Sequence, residues 1–252
     1  MFFTDHLSRK VSIPHPPQRI ISLVPSQTEL LVDLGLEDRL VGVTKFCVHP
    51  TQLRKSKTVV GGTKNYRFEL IDELQPDLII GNKEENEREG IAKLAEKHPV
   101  WMSDIVGLED SLRMISDLGQ ITATETRAEE LARTIRTSFA QALPQKGRAV
   151  YLIWDNPKMA AGKKTFIDAM LRFAGFENAI DAERYPTVEE SDLASLAPEY
   201  VLLSSEPFPF SEKHAQELQL LLPKSKILLV DGEMFSWYGS RLLHAMDYFK
   251  RL

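Results

Sequence analysis

The sequence predicts an α/β protein built from two similar lobes joined by one long helix. Short apolar runs alternate with longer amphipathic stretches, which is the pattern of strands and helices in α/β proteins. The pattern restarts after residue 147, and residues 124–143, without Gly or Pro, separate the two halves.

The first half alternates strands and helices in order along the chain. Ser26 is the predicted N-cap of the first helix, and Gly35 lies where a glycine commonly ends a helix. The acidic run at residues 84–89 reads as the solvated start of a helix, where acidic side chains favour the helix dipole. The predicted strands span residues 19–24, 39–43, 77–80 and 100–102, and the later helices span residues 68–74, 84–97 and 108–118.

The stretch at 124–143 predicts a single helix of about 30 Å at 1.5 Å per residue. Pro144 and Gly147 follow this stretch. Its apolar residues recur at helical spacing; they are Ala128, Leu131, Ala132, Ile135, Phe139 and Ala142. We therefore expect a first lobe at residues 1–121, a joining helix at 122–144 and a second lobe at 145–252, which begins with a strand at 148–154.

An internal repeat supports the two-lobe interpretation. Residues 74–80 (LQPDLII) match residues 196–202 (LAPEYVL), and residues 19–24 match residues 148–153. A Gly turn and a strand ending in Asp repeat in the same order, at offsets of 122 to 140 residues. Since any α/β unit offers an apolar strand and a Gly turn, chance similarity is the alternative.

Composition excludes several classes of protein. The chain has 252 residues, enough for one large or two small domains, with a net charge of −5 and no long Lys/Arg run. Nucleic-acid binding requires a basic surface, so we expect no nucleic-acid partner. No apolar run approaches the roughly 18 residues of a membrane span. The N-terminus shows no export signal, so either the chain stays in the cytosol or a signal is missing from the sequence shown.

Motifs for catalysis and for metal binding are sparse. There is no nucleophile elbow, P-loop, dinucleotide fingerprint or zinc-protease motif, so no catalytic residue is predicted. Cys47 and His49 supply only two soft ligands where zinc requires three or four, so no metal site is expected. Residues 61–64 (GGTK) read as a tight turn or a ligand-facing loop. Ser26 is a simple cap or, with the following amides, an anion contact.

Aromatic residues concentrate where strands end and loops begin. Ligands of open α/β sheets bind beyond the carboxyl ends of the strands, and aromatic rings there suit a large, flat ligand. The alternative is that they seal the edges of the lobes, as we expect for about half of them. The residues are Phe46, Tyr66, Trp154, Tyr185, Phe208, Phe210, Phe235, Trp237 and Tyr238.

Taken together, these motifs resemble the helical-backbone (class III) substrate-binding proteins of ABC importers, and most closely the vitamin B12-binding branch. The resemblance covers nearly the whole chain and rests on residues 19–30 (RIISLVPSQTEL), 34–35, 41–44, 74–80, 161–166, 175–178 and 235–241. It implies two lobes joined by one helix, with a corrinoid, ferric siderophore or haem bound in the cleft between them. It also implies a transient membrane permease partner, a periplasmic or cell-surface location and no enzymatic activity; one chain suffices, so we expect a monomer.

The resemblance also assigns roles to residues. Members dock on the permease through an acidic residue on each lobe. Glu69, seven residues before Pro76, matches the first position; Ser191 occupies the second, and Glu190 beside it is the expected substitute. The tryptophan that B12 binders place near residues 62–64 is absent. Arg241 is expected to pair with an anionic group of the ligand or to cap local carbonyls. The expected ligand contacts are Ser26, Phe46, Tyr66, Trp154, Tyr185, Trp237 and Arg241.

Two further functions stay open at this point. The first is a cytosolic enzyme or cofactor-handling protein on the same frame, which the missing export signal favours. The second is a module that binds a protein partner, which would have a shallow cleft filled by its own side chains.

Overall fold

The computed structural model describes residues 1–252, which divide into two units. The first unit comprises Met1–Ile105, Glu109–Arg136 and Tyr238–Arg241, and the second comprises Val106–Leu108, Thr137–Trp237 and Leu242–Leu252. None of the helices combines the length and the apolar composition that a membrane span requires.

The first unit is built on a five-stranded parallel sheet in the order β5-β4-β3-β6-β7. Its central strands are continuous apolar runs because helices cover both faces of a parallel sheet. The elements, with a short antiparallel pair β1–β2, are β1 (Phe2–Thr4), β2 (Lys10–Ser12), β3 (Ile20–Ser22), α1 (Pro25–Asp33), a 3₁₀ turn (Glu37–Arg39), β4 (Leu40–Val43), α2 (Leu53–Ser56), β5 (Thr58–Val59), α3 (Phe68–Leu74), β6 (Leu78–Asn82), α4 (Arg88–Ala95), β7 (Val100–Ser103), α5 (Leu108–Thr122) and α6 (Glu125–Ser138).

The second unit holds the sheet β10-β8-β11-β12, in which these four strands are parallel and the short β9 pairs antiparallel with β8. Its elements are β8 (Gly147–Trp154), β9 (Met159–Ala160), α7 (Phe166–Phe173), β10 (Phe176–Asn178), α8 (Glu190–Leu196), β11 (Tyr200–Ser204), α9 (Glu212–Leu221), β12 (Lys226–Val230), α10 (Glu233–Ser236) and α11 (Leu242–Phe249).

The two units share one topology, so the expectation of two similar α/β lobes is confirmed. Strand order β4-β3-β6-β7 in the first unit equals β10-β8-β11-β12 in the second. Both α3 and α8 end in a left-handed residue before a proline, Gln75 (φ 44°) and Ala197 (φ 42°). The acid that follows the proline accepts backbone N–H groups from the first strand: Asp77 from Arg19 (2.8 Å) and Glu199 from Arg148 (3.1 Å).

The helix predicted at 124–143 is shorter in the structure. It is α6, which ends at Ser138, because the residues beyond it pair with the second unit's backbone instead of continuing the helix. The Leu143 N–H donates to the Phe173 carbonyl (2.9 Å) and the Lys146 N–H to the Gly175 carbonyl (2.7 Å). The role of this helix as the single link between the lobes, and the domain limits at 121/122 and 144/145, stay predictions.

The repeated glycines give a matched test of backbone geometry. Gly35 (φ +83°) and Gly175 (φ +86°) both follow a helix in the left-handed region, where alanine costs about 1 kcal/mol or more. An added Cβ at Gly35 would lie 2.7 Å from the flexible end of Arg127, but at Gly175 it would lie 2.3 Å from the backbone oxygen of Pro144. We expect Gly175→Ala to lower the free energy of unfolding clearly more than Gly35→Ala in urea titrations. Equal losses of unfolding free energy would show that the Pro144 carbonyl can move aside as easily as the Arg127 side chain.

Candidate functional site

In parallel sheets of this kind ligands bind beyond the carboxyl ends of the strands, so this edge of each sheet is where a site is expected. The first unit contains five of the sequence-predicted residues and the second contains four. They are Ser26, Phe46, Tyr66, Glu69 and Arg241 in the first, and Trp154, Tyr185, Glu190 and Trp237 in the second.

Ser26 lies inside α1 and does not cap it. Pro25 takes the first helical position, which suits proline because no N–H is needed there, and Val24 is the N-cap without a side-chain bond. The N-cap prediction for Ser26 is therefore wrong by two positions. Its side chain is buried and lies beside the phenol of Tyr238.

Phe46 is the exposed ring beyond the carboxyl end of β4. It follows β4 with 48% of its surface exposed, and the Lys45 Nζ lies 4.9 Å from its ring centroid. A Cβ on Gly62 would come within 3.3 Å of the ring, so the glycine lets the loop at residues 61–64 pass close to Phe46. The loop therefore borders this ring, and its interpretation as a ligand-facing loop stays a prediction.

Tyr66 borders the same loop but is half-buried. Its hydroxyl donates to the Thr63 carbonyl (2.6 Å), its ring packs edge-on against Phe68 at 6.0 Å, and Gly90 lies directly against the ring. Burial raises the pKa of Tyr66 to about 12. The phenol therefore stays protonated at neutral pH and holds the loop in place.

A turn held by Asn82 replaces the predicted helix start at residue 84. The Asn82 Oδ1 accepts the N–H groups of Glu84 (2.8 Å) and Glu85 (3.2 Å), and its Nδ2 donates to the Ser103 Oγ (3.0 Å). Asparagine competes for backbone groups in this way at turns. Consequently α4 begins only at Arg88, and the acids at 84 and 85 belong to the sheet edge.

A second asparagine joins three segments at this edge. The Asn86 Oδ1 accepts the Asn82 N–H (2.8 Å), while its Nδ2 donates to the carbonyls of Leu23 (3.3 Å) and Thr63 (2.8 Å). Asn86 is buried, and both polar atoms of its side-chain amide are hydrogen-bonded. The ends of β3 and β6 and the loop at 61–64 therefore form one fixed frame.

The segment Tyr238–Arg241 attaches to this frame. The buried Tyr238 hydroxyl donates to Glu85 Oε1 (2.8 Å), and the Gly239 N–H donates to the Ser111 Oγ (3.1 Å). Burial, followed by the charge of Glu85, raises the pKa of Tyr238 well above its usual value. The acidic run that the sequence assigns to a solvated helix thus includes a residue that fixes a distant segment.

Arg241 pairs with a carboxylate of its own chain. Its Nε and Nη2 donate to the two oxygens of Glu29 at 3.0 and 2.6 Å, and both side chains are largely buried. Burial raises the pKa of Glu29, and the Arg241 guanidinium opposes that shift. This bidentate pair engages the Nε and Nη2 side of the guanidinium. Pairing of Arg241 with a ligand anion and capping of local carbonyls both stay predictions.

Cys47 is a buried thiol among hydroxyl groups. Its Sγ lies 3.1 Å from the Thr28 Oγ1 and 3.3 Å from the Thr44 Oγ1, and burial raises the pKa of the thiol. Nowhere in residues 1–252 do three or more His, Cys, Asp or Glu side chains form a group able to hold a metal ion.

In the second unit, Trp154 lies at the end of β8, and Tyr185 lies on the segment between β10 and α8. Trp154 ends β8 with 40% of its surface exposed, donates its indole N–H to the Asn156 carbonyl (3.2 Å) and packs edge-on against Phe208 at 5.6 Å. Tyr185 is half-buried, and the Arg184 guanidinium lies 6.0 Å from its ring centroid.

Trp237 is buried, with 6% of its surface exposed. Its indole N–H donates to Glu206 Oε1 (2.9 Å), and the Ser236 hydroxyl donates to the same oxygen (2.6 Å). Glu206 lies on the loop after β11 that also carries Phe208, so this loop supports both Trp154 and Trp237. Nothing in the local sequence around Glu206 signals this role.

Glu206 makes stability depend on pH. Burial, opposed by the Ser236 bond, raises its pKa above 4.5, so ionisation costs folding free energy as pH rises through the folded-state pKa. Glutamine keeps the acceptor oxygen without the charge. We expect Glu206→Gln to raise the melting temperature at about pH 8 and to lose that advantage near about pH 4. The control is Glu177→Gln at the exposed central position of β10; a pH-independent gain for Glu206→Gln would contradict the assignment.

The two expected docking acids differ in their surroundings. Glu69 is exposed at the second position of α3, and Ser191 occupies the second position of α8. Glu190 precedes it, and the Lys158 Nζ lies 3.7 Å from its Oε1. Glu190 also lines a cavity of about 420 Å³ with Asp155, Asn156, Pro157, Lys158, Val188, Glu189 and Ser191.

The topology of the two sheets is that of a known class of protein. The family model described as periplasmic binding protein matches residues 20–220, and the chain belongs to that family.

Three known proteins are similar to this chain, two in sequence and one in fold. The chain is 27% identical to the vitamin B12-binding protein of Vibrio parahaemolyticus, over 75% of this chain and 71% of that one. It is 24% identical to the uncharacterized ABC transporter substrate-binding lipoprotein YvrC of Bacillus subtilis, over 79% and 67%. The periplasmic haem-binding protein RhuT of Roseiflexus sp. RS-1 shares the fold, with a TM-score of 0.79 at 21% identity over 92% and 97%.

Proposed function

We propose that this chain is the substrate-binding protein of an ABC importer and binds a bulky metal chelate: a cobalamin-like corrinoid, a ferric siderophore or haem. The observation that carries this proposal is an exposed aromatic ring at the carboxyl edge of each sheet, Phe46 (48% exposed) and Trp154 (40% exposed). Flat apolar faces suit macrocyclic ligands. The relatives are binding proteins rather than enzymes, and we propose that this chain likewise binds without catalysis.

The remaining expected ligand residues receive a supporting part in this proposal. Tyr66 and Trp237 are tied by their polar atoms to Thr63 and Glu206, so they position the loops that border the exposed rings. Ser26 and Tyr185 stay proposed contacts. Arg241 contacts an anionic ligand group only if it leaves Glu29.

The partner follows from the same proposal. We propose that a monomer acts outside the cytoplasmic membrane and docks transiently on a permease through Glu69 and Glu190. Exposed carboxylates of this kind attract basic residues of a partner and speed the encounter.

A tryptophan-fluorescence titration tests the proposal with cyanocobalamin, haemin and ferrichrome as probes. Trp154 is exposed beside the proposed ligand, so a coloured chelate should quench it. We expect saturable quenching by one probe with a Kd of about 1 μM or tighter, a binding free energy of about −8 kcal/mol. Absence of saturation with all three probes would refute chelate binding.

Matched variants separate the reporter from the binding surface. Trp154→Phe keeps an aromatic face, so it should reduce the quenching amplitude while retaining affinity. Phe46→Ala and Trp154→Ala should each weaken the Kd about tenfold, the equivalent of 1.4 kcal/mol. Unchanged affinity in both alanine variants would remove these rings from the site.

A second candidate function is a cytosolic cofactor-handling protein or enzyme on the same fold. The observation that favours it is the pairing of Glu190 with Lys158 and the serine at position 191, which leave the second docking position without an unpaired acid. Subcellular fractionation of the native host distinguishes the two. Recovery with the cytosolic fraction would favour this alternative, and recovery outside the membrane would refute it.

A further inference from the structure

Two cationic side chains lie beside the exposed ring of Phe46, beyond the carboxyl end of β4. The Lys45 Nζ lies 4.9 Å from the centroid of this ring, and the Lys45 Cε would lie 3.6 Å from a Cβ on Gly62. Arg54, at the second position of α2, reaches back to the same turn, where its Nη1 donates to the Lys45 carbonyl (3.0 Å). The ring proposed to contact the chelate therefore has positive charge directly beside it.

The backbone that carries Lys45 is held on both sides. Its N–H donates to the Gly61 carbonyl (2.8 Å), and its carbonyl accepts the bond from the Arg54 guanidinium. The next N–H, that of Phe46, donates to the Thr44 hydroxyl (3.3 Å) and closes the turn after β4. Because these bonds order the turn in the free protein, a ligand group that binds there pays little conformational entropy for fixing the backbone.

The charges of Lys45 and Arg54 are not used in ion pairs within the chain. Both side chains are exposed, and neither has a carboxylate of residues 1–252 within ion-pair distance. The bond to the Lys45 carbonyl uses one of the five N–H donors of the guanidinium, and the ammonium carries three donors of its own. Donors of this kind form strong, charge-assisted hydrogen bonds with negatively charged oxygens.

Trp154, the other ring proposed to contact the chelate, has different surroundings. Lys158, on the turn that follows this tryptophan, lies with its Nζ 3.2 Å from the Asp155 Oδ1 and 3.7 Å from the Glu190 Oε1. Two carboxylates thus balance the one cation, and a negative group of a ligand would meet like charge there. A negatively charged part of a chelate is therefore expected at Phe46 and not at Trp154.

We propose that the chelate carries negatively charged oxygens, which Lys45 and Arg54 bind while the flat part of the ligand lies on Phe46. This inference rests on the proposed function and narrows its ligand from bulky metal chelates in general to anionic ones. The two cations are then specificity-determining residues. They distinguish chelates of the same shape by charge, since a neutral chelate gains no charge-assisted hydrogen bond from either of them.

Three matched pairs of probes, each differing only in an anionic group, test the charge selection on the full chain. They are haemin and haemin dimethyl ester, cyanocobalamin monocarboxylic acid and cyanocobalamin, and the N-succinyl and N-acetyl derivatives of ferrioxamine B. In tryptophan-fluorescence titrations of each pair that binds, we expect the anionic member to have a Kd at least about tenfold lower than its neutral partner. Raising the salt concentration from about 50 mM to about 500 mM should weaken the anionic member more than the neutral one.

Variants assign the selection to the two cations. Lys45→Gln and Arg54→Gln should each weaken the anionic probe about fivefold more than its neutral partner, the upper range for an exposed ionic contact. Lys55→Gln, at the next exposed position of α2, removes the same charge and should change neither affinity. Equal affinities within every pair that saturates, or an equal loss in Lys55→Gln, would overturn the charge selection and leave chelate binding intact. Absence of saturation with all six probes would refute chelate binding itself, and this inference with it.

Discussion

Arg241→Met should lower the free energy of unfolding by about 3–5 kcal/mol, the usual cost of leaving one partner of a buried ion pair alone. The Glu29 and Arg241 side chains are only 16% and 11% exposed, and two hydrogen bonds join them. Methionine fills a similar volume, so the loss of unfolding free energy reports the cost of leaving the Glu29 carboxylate without its partner. Guanidinium titration at neutral pH gives the value. Burial raises the pKa of Glu29, so lowering the pH toward protonation of Glu29 should shrink the loss.

Two controls make that result specific. Adding Glu29→Gln to Arg241→Met removes the unpaired charge, so the double variant should recover much of the loss. Arg136→Met breaks the exposed pair with Glu109, in which both side chains are more than half exposed, and should cost at most about 1 kcal/mol. If Arg241→Met costs no more than Arg136→Met, the Glu29–Arg241 pair does not stabilise the unit.

The fold was predictable because its signals are local and repeated. Apolar periodicity marks each strand and helix within a window of a few residues, and the repeated Pro76 and Pro198 mark the same junction twice. The errors occur where tertiary contacts override local preference. The helix after residue 124 stops at Ser138 because the next residues pair with the backbone near Gly175. Similarly, Asn82 converts a predicted helix start into a turn.

The site was less predictable because its decisive contacts are remote in sequence. Tyr238 and Glu85 are 153 residues apart, and Arg241 and Glu29 are 212 residues apart. The local sequence around each of these residues does not indicate its distant partner. Residue type and position at a strand end predicted a concentration of aromatic residues there. They could not show which rings are exposed, since exposure depends on partners such as Glu206 and Phe208.

The tryptophans illustrate that limit and yield the second large effect. Trp237→Ala should lower the free energy of unfolding by about 3–5 kcal/mol, as expected for emptying the volume of a buried tryptophan. The substitution also removes one of two hydrogen-bond donors to the Glu206 carboxylate, the Trp237 indole, and leaves the Ser236 hydroxyl. Burial already raises the pKa of this carboxylate. Thermal unfolding followed by circular dichroism measures the loss.

Trp154→Ala is the matched comparison, because both residues are tryptophans of the second unit with a hydrogen-bonded indole N–H. With 40% of its surface exposed, Trp154 leaves less of a cavity when truncated, so the stability loss should be clearly smaller than for Trp237. Its effect should appear instead in chelate affinity. If Trp237→Ala leaves stability intact and abolishes chelate binding, the buried indole is itself a ligand contact, and the pairing with Glu206 opens when the ligand enters.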